Sequence, residues 1–402
     1  MNQNLRFIEI AGRIGMSFAL TAVIAVGIGG YMTKVFETPP EYAPLWWFGA
    51  YAMFVGLNIW GVEASFRFSV FIAFLALAVL AVFCIGAISH FDFDRWALDI
   101  VPKVDPATGV LPAGASRFLP MGFAGILAAL PFAIWFFLGI EELPLAAEEA
   151  ENPERDIPRG MFWGIVTLII SSILILVLNS GISPGAAAIG SSNEPLFDGF
   201  RTIFGNGFVA KTLSVIAVAG LIASFHTIIF AYGRQIYSLS RAGYFPRFLS
   251  LTHRVRQTPH VAMIAGALLG LAAAIGIQYS GGDKSAVGAV LLNMAVFGAV
   301  ISYMLQMVCF ILLRIRLPHI RRPYLSPFGI PGAIFTGLMA IVTLVTLFVV
   351  NTAYVNVVIG ALIWFALGII YFAVIGRKNL VRSPEEEFAM VELEKGREFR
   401  NK

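Results

Sequence analysis

Residues 130–149 read Leu130-Pro131-Phe132-Ala133-Ile134-Trp135-Phe136-Phe137-Leu138-Gly139-Ile140-Glu141-Glu142-Leu143-Pro144-Leu145-Ala146-Ala147-Glu148-Glu149. They continue an apolar run that begins near residue 122, and the run is long enough to cross a bilayer core of about 30 Å, which takes roughly 20 residues at 1.5 Å each. Two prolines and a glycine interrupt the run, and it carries two adjacent carboxylates. Broken helices with freed backbone groups are the way many transporters build a site near the membrane midplane. The stretch therefore predicts a membrane-spanning helix with a built-in break.

The rest of the chain agrees. Of its 402 residues 58% are hydrophobic and 13% charged, with a mean hydropathy of +0.81. A soluble domain has about 25% charge and 45–50% apolar residues. A soluble enzyme, a nucleic-acid binder and a secreted disulfide scaffold are excluded for the chain as a whole. Ten segments are apolar and long enough to span: 14–33, 45–62, 68–89, 122–146, 161–179, 208–233, 261–279, 287–313, 331–350 and 354–375. Helices are expected throughout, because lipid leaves the backbone no other way to satisfy itself except a closed barrel, whose strands would alternate. Cys84 and Cys309 sit in apolar runs near opposite membrane faces, so no disulfide joins them.

The run from Ile14 to Met32 follows Arg6 and Arg13 as a signal peptide would, but it exceeds the usual apolar length of about 7–15 residues and lacks a clear small-residue cleavage site. It reads as a first span. If the amino terminus is cytoplasmic, 21 of the 28 Lys and Arg residues fall on one side of the membrane and 7 on the other. That excess predicts both ends inside, in agreement with an even number of spans. The outer loops 90–121 and 180–207 are long enough to carry structure of their own. The tail after Gly376 is charged and reads as a solvated short helix or disorder, giving a transmembrane unit over 1–376 and a cytoplasmic tail over 377–402.

Ionisable groups inside a span are costly, about 2.5–3.5 kcal/mol at its centre, and so are functional by default. Glu141 and Glu142 lie nearer the cytoplasmic end, where interface placement competes. For Glu141 the two readings stand level; for Glu142 the interface is preferred. Trp135, Phe136 and Phe137 read as lipid-facing or core aromatics, although one ring could meet a cation. Ser224, His226 and Thr227 form a polar group within lipid depth that must face protein or a cavity. A lone helical histidine is more often a packing residue than a switch. Small residues at Gly27, Gly29 and Gly30, at Gly266 and Gly270, and at Gly360 and Gly368 are explained by close helix packing. The chain has no HExxH, no P-loop and no supported Ser/His/Asp arrangement.

One segment is more specific. Ala146-Ala147-Glu148-Glu149-Ala150-Glu151-Asn152-Pro153-Glu154-Arg155-Asp156-Ile157-Pro158 resembles the loop after the sixth helix of amino acid-polyamine-organocation (APC) superfamily permeases. Ala231 to Pro246, with Arg234 and Arg241, is similar to the segment after that family's eighth helix, and Leu313 to Tyr324 to the loop after its tenth. Within the superfamily, Ile222 to Arg234 and Leu380 to Phe388 most resemble ethanolamine permeases.

The resemblance covers the chain from the family's third helix onward. It implies an inverted-repeat, five-plus-five type transporter fold here truncated at the N-terminus, three plus five with two accessory helices, best explained by a mis-assigned start or a genetic truncation. It further implies that Phe136, Phe137, Leu138, Gly139, Ile140 and Glu141 match the unwound, substrate-contacting part of the sixth helix, with Glu141 meeting a substrate amine. Ser224 and Thr227 match the region of the superfamily's sodium site, with His226 as a further coupling-ion candidate. Glu148, Glu149, Asn152, Pro153, Arg155, Arg234 and Arg241 form its cytoplasmic motif.

The expectation is thus an all-α integral membrane protein of about ten helices, in the cell membrane with both termini cytoplasmic. It moves ethanolamine by alternating access, with the lipid bilayer and a small amine as its partners, no nucleic acid, no metal, no chemical step and no cofactor beyond a coupling H+ or Na+. An amino acid permease of the same superfamily, by symport or exchange, and a non-transporting membrane fragment are the alternatives.

Overall fold

The computed structural model describes residues 3–104, 109–192, 194–279, 286–318, 320, 322, 324–349, 355–381, 387 and 390–391. Lys284, Arg321, Pro323 and most of the charged tail expected over 377–402 lie outside the described residues.

Helices form wherever the sequence supplies an apolar run. In chain order they are α1 (Gln3–Phe36), α2 (Ala43–Trp60), α3 (Val62–Ile88), α4 (Gly122–Trp135), α5 (Pro153–Ser180), the short α6 (Ala186–Ile189) and α7 (Pro195–Phe204), then α8 (Phe208–Arg241), α9 (His260–Tyr279), α10 (Ala286–Arg316), α11 (Gly329–Val349), α12 (Val355–Tyr371) and α13 (Arg377–Asn379). No strand occurs among the described residues. Nine helical segments there are long and apolar enough to cross a membrane, against ten expected. The difference is α2. It has 18 residues, but Trp46, Trp47 and Asn58 make it less apolar, and it turns Trp47, Tyr51, Phe54 and Asn58 into the protein.

Several helices overrun the expected spans into water. The 34 residues of α8 extend about 51 Å at 1.5 Å per residue, which carries Arg234 and Arg241 beyond the apolar layer. The two long loops carry structure as expected: a π-helical turn at Phe93–Ala97 in 90–121, α6 and α7 in 180–207. No disulfide joins Cys84 and Cys309, as expected.

The core is built around α1, which packs against α2, α8, α9, α10 and α12. Met16, Leu20, Ala25 and Ile28 of α1 meet Trp47, Tyr51 and Phe54 of α2, Phe225 and Tyr232 of α8, Met263 of α9 and Ala295 of α10. Glycines set the closest approaches. A Cβ at Gly298 of α10 would stand 2.5 Å from the carbonyl oxygen of Gly12 on α1, so these two backbones touch because neither residue has a side chain. Gly29 accommodates the indole of Trp47, Gly266 the ring of Tyr232 and Gly270 the hydroxyl of Tyr51. By contrast α5 buries only Asn179 among its residues and turns the rest of its apolar surface outward, as a lipid-facing helix can.

Candidate functional site

The fourth span breaks, but over a shorter stretch than expected. α4 contains Pro131 and stops at Trp135. Phe136 and Phe137 close turns onto Ala133 and Ile134 with N···O distances of 3.2 and 2.9 Å. Gly139 then takes φ +98°, and a 3-10 helix runs over Ile140–Glu149. A positive φ of this size is open to glycine and strained for a side chain, which makes Gly139 the pivot. The unwound part is thus Phe136–Gly139 rather than Phe136–Glu141: Ile140 and Glu141 already belong to the tighter helix.

The six residues expected to contact substrate go to different places. Leu138 and Gly139 line a cavity of about 420 Å³ between the break, α3 and α8. Ser69 and Ala73 of α3 and Ser224 and Thr227 of α8 line it too, so part of each candidate group shares one space. Phe136 is exposed, and Ile140 lies against the Gly164 position of α5. Glu141 turns to α10, where Tyr303 Oη donates to its Oε1 at 2.8 Å and the Gly139 N–H donates to its Oε2 at 3.0 Å. Both carboxyl oxygens are thereby engaged.

Glu142 was expected in the interface and is instead 7% exposed. The 3-10 segment lays it beneath the helices around the break, and neither of its oxygens meets a donor among the described residues. Nearby, Arg13 of α1 donates from Nε to Ser302 Oγ at 3.1 Å, and Gln306 Nε2 reaches the same hydroxyl at 3.1 Å.

The polar trio on α8 divides. Ser224 and Thr227, three residues apart, share the cavity face, and the Thr227 hydroxyl donates to Ala223 O at 2.7 Å. His226 faces the opposite way and is fully buried. Its Nδ1 lies 3.0 Å from Asn58 Nδ2 and its Nε2 lies 2.8 Å from Ser65 Oγ, whose hydroxyl donates to Asn58 Oδ1 at 3.0 Å. Asn58 Nδ2 also donates to Phe54 O at 2.9 Å, which fixes the amide's orientation. His226 Nδ1 is then an acceptor, and the ring is a neutral Nε2–H tautomer donating to Ser65. Phe54 and Phe68 close around the ring edge-on, at centroid distances of 5.8 and 5.2 Å. The histidine thus ties α2, α3 and α8 together.

The motif expected on the cytoplasmic side is a helix start joined to a clamp. Asn152 precedes α5 and Pro153 opens it, with Glu154 and Asp156 in the first turn, each placed where a helix amino terminus favours it. The Asn152 N–H donates to Asp156 Oδ2 at 3.3 Å, and its carbonyl accepts from Arg155 N at 3.0 Å. Arg234 of α8 bridges both acids, Glu148 at 3.1 Å and Glu149 at closer range, while its guanidinium stacks over Phe230 at 4.8 Å. Arg241 instead lies over Tyr237 at 5.6 Å. On the opposite face of the membrane unit Lys34 pairs with Glu194 at 2.6 Å and Lys211 with Glu37 at 2.5 Å. The Lys211 ammonium holds the exposed Glu37 carboxyl below its usual range.

Sequence reasoning missed Asn58, Ser65, Ser69 and Tyr303. Asn58 and Ser69 are polar residues inside apolar runs, the same signal that singled out Ser224, whereas Ser65 lies between two runs, beside Glu63 and Arg67.

The family model described as amino acid permease matches residues 16–375. The chain belongs to the amino acid permease family. The family is one of membrane permeases, not enzymes, and the apolar helices make the chain a multi-pass membrane protein. An uncharacterized transporter of Rhizobium meliloti is 29% identical over 306 residues, 76% of this chain and 58% of that protein. A branched-chain amino acid permease of Bacillus subtilis is 26% identical over 277 residues, covering 68% and 55%. A gamma-aminobutyric acid permease of Escherichia coli is 25% identical over 228 residues, covering 55% and 46%. This permease-family chain therefore spans between about half and three fifths of the length of these relatives.

Proposed function

We propose that this chain forms the membrane unit of a secondary transporter that moves a small ammonium-bearing solute, an amino acid or ethanolamine, by alternating access. The observation that carries the reading is the break at Phe136–Gly139, whose Gly139 opens onto the same cavity as Ser224 and Thr227. Freed backbone groups and hydroxyls in one cavity suit a small polar solute. Glu141, fixed by Tyr303 beside the break, supplies negative charge for an ammonium group. The relatives named for branched-chain amino acids and gamma-aminobutyric acid point to solutes that carry both an ammonium and a carboxylate, of which ethanolamine shares the ammonium alone.

In this reading 1–376 is the permease unit and the arginine-rich face carrying Arg234 and Arg241 is cytoplasmic, with the clamp on Glu148 and Glu149 below the site. The test is uptake of labelled ethanolamine into cells expressing the chain, with unlabelled ethanolamine and amino acids as competitors. Competition by ethanolamine alone supports ethanolamine; competition by an amino acid moves the assignment to an amino acid permease. Absence of uptake and of binding for every amine offered, from a correctly inserted chain, would overturn the transport reading.

A further inference from the structure

Two acidic residues are buried among the described residues, and they are treated differently. Glu194 is met by Lys34 Nζ at 2.6 Å. Glu142, 7% exposed, is met by no donor on either oxygen. A carboxylate removed from water without hydrogen bonds is costly, and it is relieved by a bound proton or by a cation.

The surroundings choose between these. On its own segment Glu141 is one residue away, with both oxygens satisfied by Tyr303 Oη and the Gly139 N–H. From α1 the Arg13 guanidinium acts on Glu142 through space while bonding to Ser302. From α5, Gly160 and Gly164 lie beside Leu143 and Ile140. From α8 the charged residue is Arg234, committed to Glu148 and Glu149. A negative charge on Glu142 would stand next to a second carboxyl group, that of Glu141, and the positive Arg13 disfavours entry of a metal or ammonium ion. A proton satisfies both conditions, since it removes the charge and adds none.

We propose that Glu142 is a proton-binding site within the fourth span. An O–H bond forms on a Glu142 oxygen when water delivers a proton and breaks when the proton returns to water; no other bond changes. The site is joined to the pivot, because the Glu142 N–H donates to Gly139 O at 3.1 Å. Gain or loss of the proton therefore switches a charge within one turn of the break. This deepens the transport reading but is tested without transport.

The experiment is infrared difference spectroscopy of the full chain in lipid nanodiscs, between neutral and alkaline pH. The expected result is a carbonyl-stretch band of a protonated carboxylic acid in the wild type that is lost in Glu142→Gln and kept in Glu141→Gln. Glu142→Asp, which retains a carboxyl group, is expected to move the band rather than abolish it, and it serves if the glutamine variant fails to fold. Absence of the band from the wild type, or a band unchanged in both Glu142 variants, would overturn the proposal. So would loss of the band when sodium or potassium chloride is raised at fixed pH, which would mark a metal-cation site. Failure of uptake with the band present would count against the transport reading alone.

Discussion

Replacing Ser65 by alanine cuts the hydrogen-bonded ring of Asn58, His226 and Ser65 at one point, and the structure says what is left behind. The Asn58 Oδ1 loses the hydroxyl that donates to it at 3.0 Å, while His226 Nε2–H keeps a longer contact to Ser65 O at 3.3 Å. One buried acceptor without a partner costs about 1–3 kcal/mol in soluble proteins. Side-chain hydrogen bonds within membrane proteins average nearer 0.6 kcal/mol, with a maximum of about 1.7, so Ser65→Ala should cost about 1 kcal/mol. Asn58→Ala removes more: the donor to His226 Nδ1 at 3.0 Å and to Phe54 O at 2.9 Å, together with packing volume in a site 1% exposed. Its cost should be about 2 kcal/mol. Because both substitutions open the same ring, the double variant should lose less than the sum, by about 0.5–1 kcal/mol. Denaturant unfolding of the purified chain in one detergent measures all four species. Single costs below about 0.3 kcal/mol, or strict additivity, would refute the closed ring and the neutral tautomer it assigns to His226.

Glu141→Gln should raise the dissociation constant of an ammonium-bearing substrate about 10- to 100-fold, the equivalent of a charge-assisted hydrogen bond of about 1.5–3 kcal/mol; calorimetric titration with any amine the chain binds reads it. Gly298→Val should destabilise by about 1–3 kcal/mol, because its Cβ would stand 2.5 Å from Gly12 O and α1 and α10 must part; a fall in melting temperature checks it, and an unchanged value would contradict the contact. Arg234→Ala should cost about 1–3 kcal/mol in stability, because Glu148 is 82% exposed and turns to water but Glu149, 29% exposed, is left without its partner. If the clamp gates the site, the same variant should change the rate of substrate exchange in proteoliposomes more than its stability.

The helices were legible because their signal is local. An apolar run of about 20 residues has one solution in lipid, and each of the ten expected segments is helical, even though α2 falls short of a membrane-crossing run. Pro131 and Gly139 marked the break for the same reason: a missing N–H and a tolerated positive φ are properties of single residues. What the sequence left open was which neighbour each polar side chain meets. Glu141 and Glu142 are adjacent and chemically identical, and their fates differ because Tyr303, 162 residues onward from Glu141, reaches one of them and no donor reaches the other. Contacts at such separation carry no local pattern.

The division of the α8 trio was readable, and the way it was missed is instructive. At 3.6 residues per turn, positions three apart lie 60° from eclipsing one another, whereas positions two apart lie about 200° around the axis. Ser224 and Thr227 had to share a face, and His226 had to leave Ser224's. Grouping the three by depth in the membrane ignored angle, which decides whether a polar group meets a cavity or a neighbouring helix. The same arithmetic gives the cavity its character. The face of α8 that carries Ser224 and Thr227 looks toward Gly139, and the face that carries His226 is locked to α2 and α3 through Asn58 and Ser65. A helix anchored on one side and open on the other gives the break something fixed to move against. A transporter that alternates access at Gly139 should therefore tolerate change at Ser224 or Thr227 without unfolding, and tolerate change at Asn58 or His226 much less.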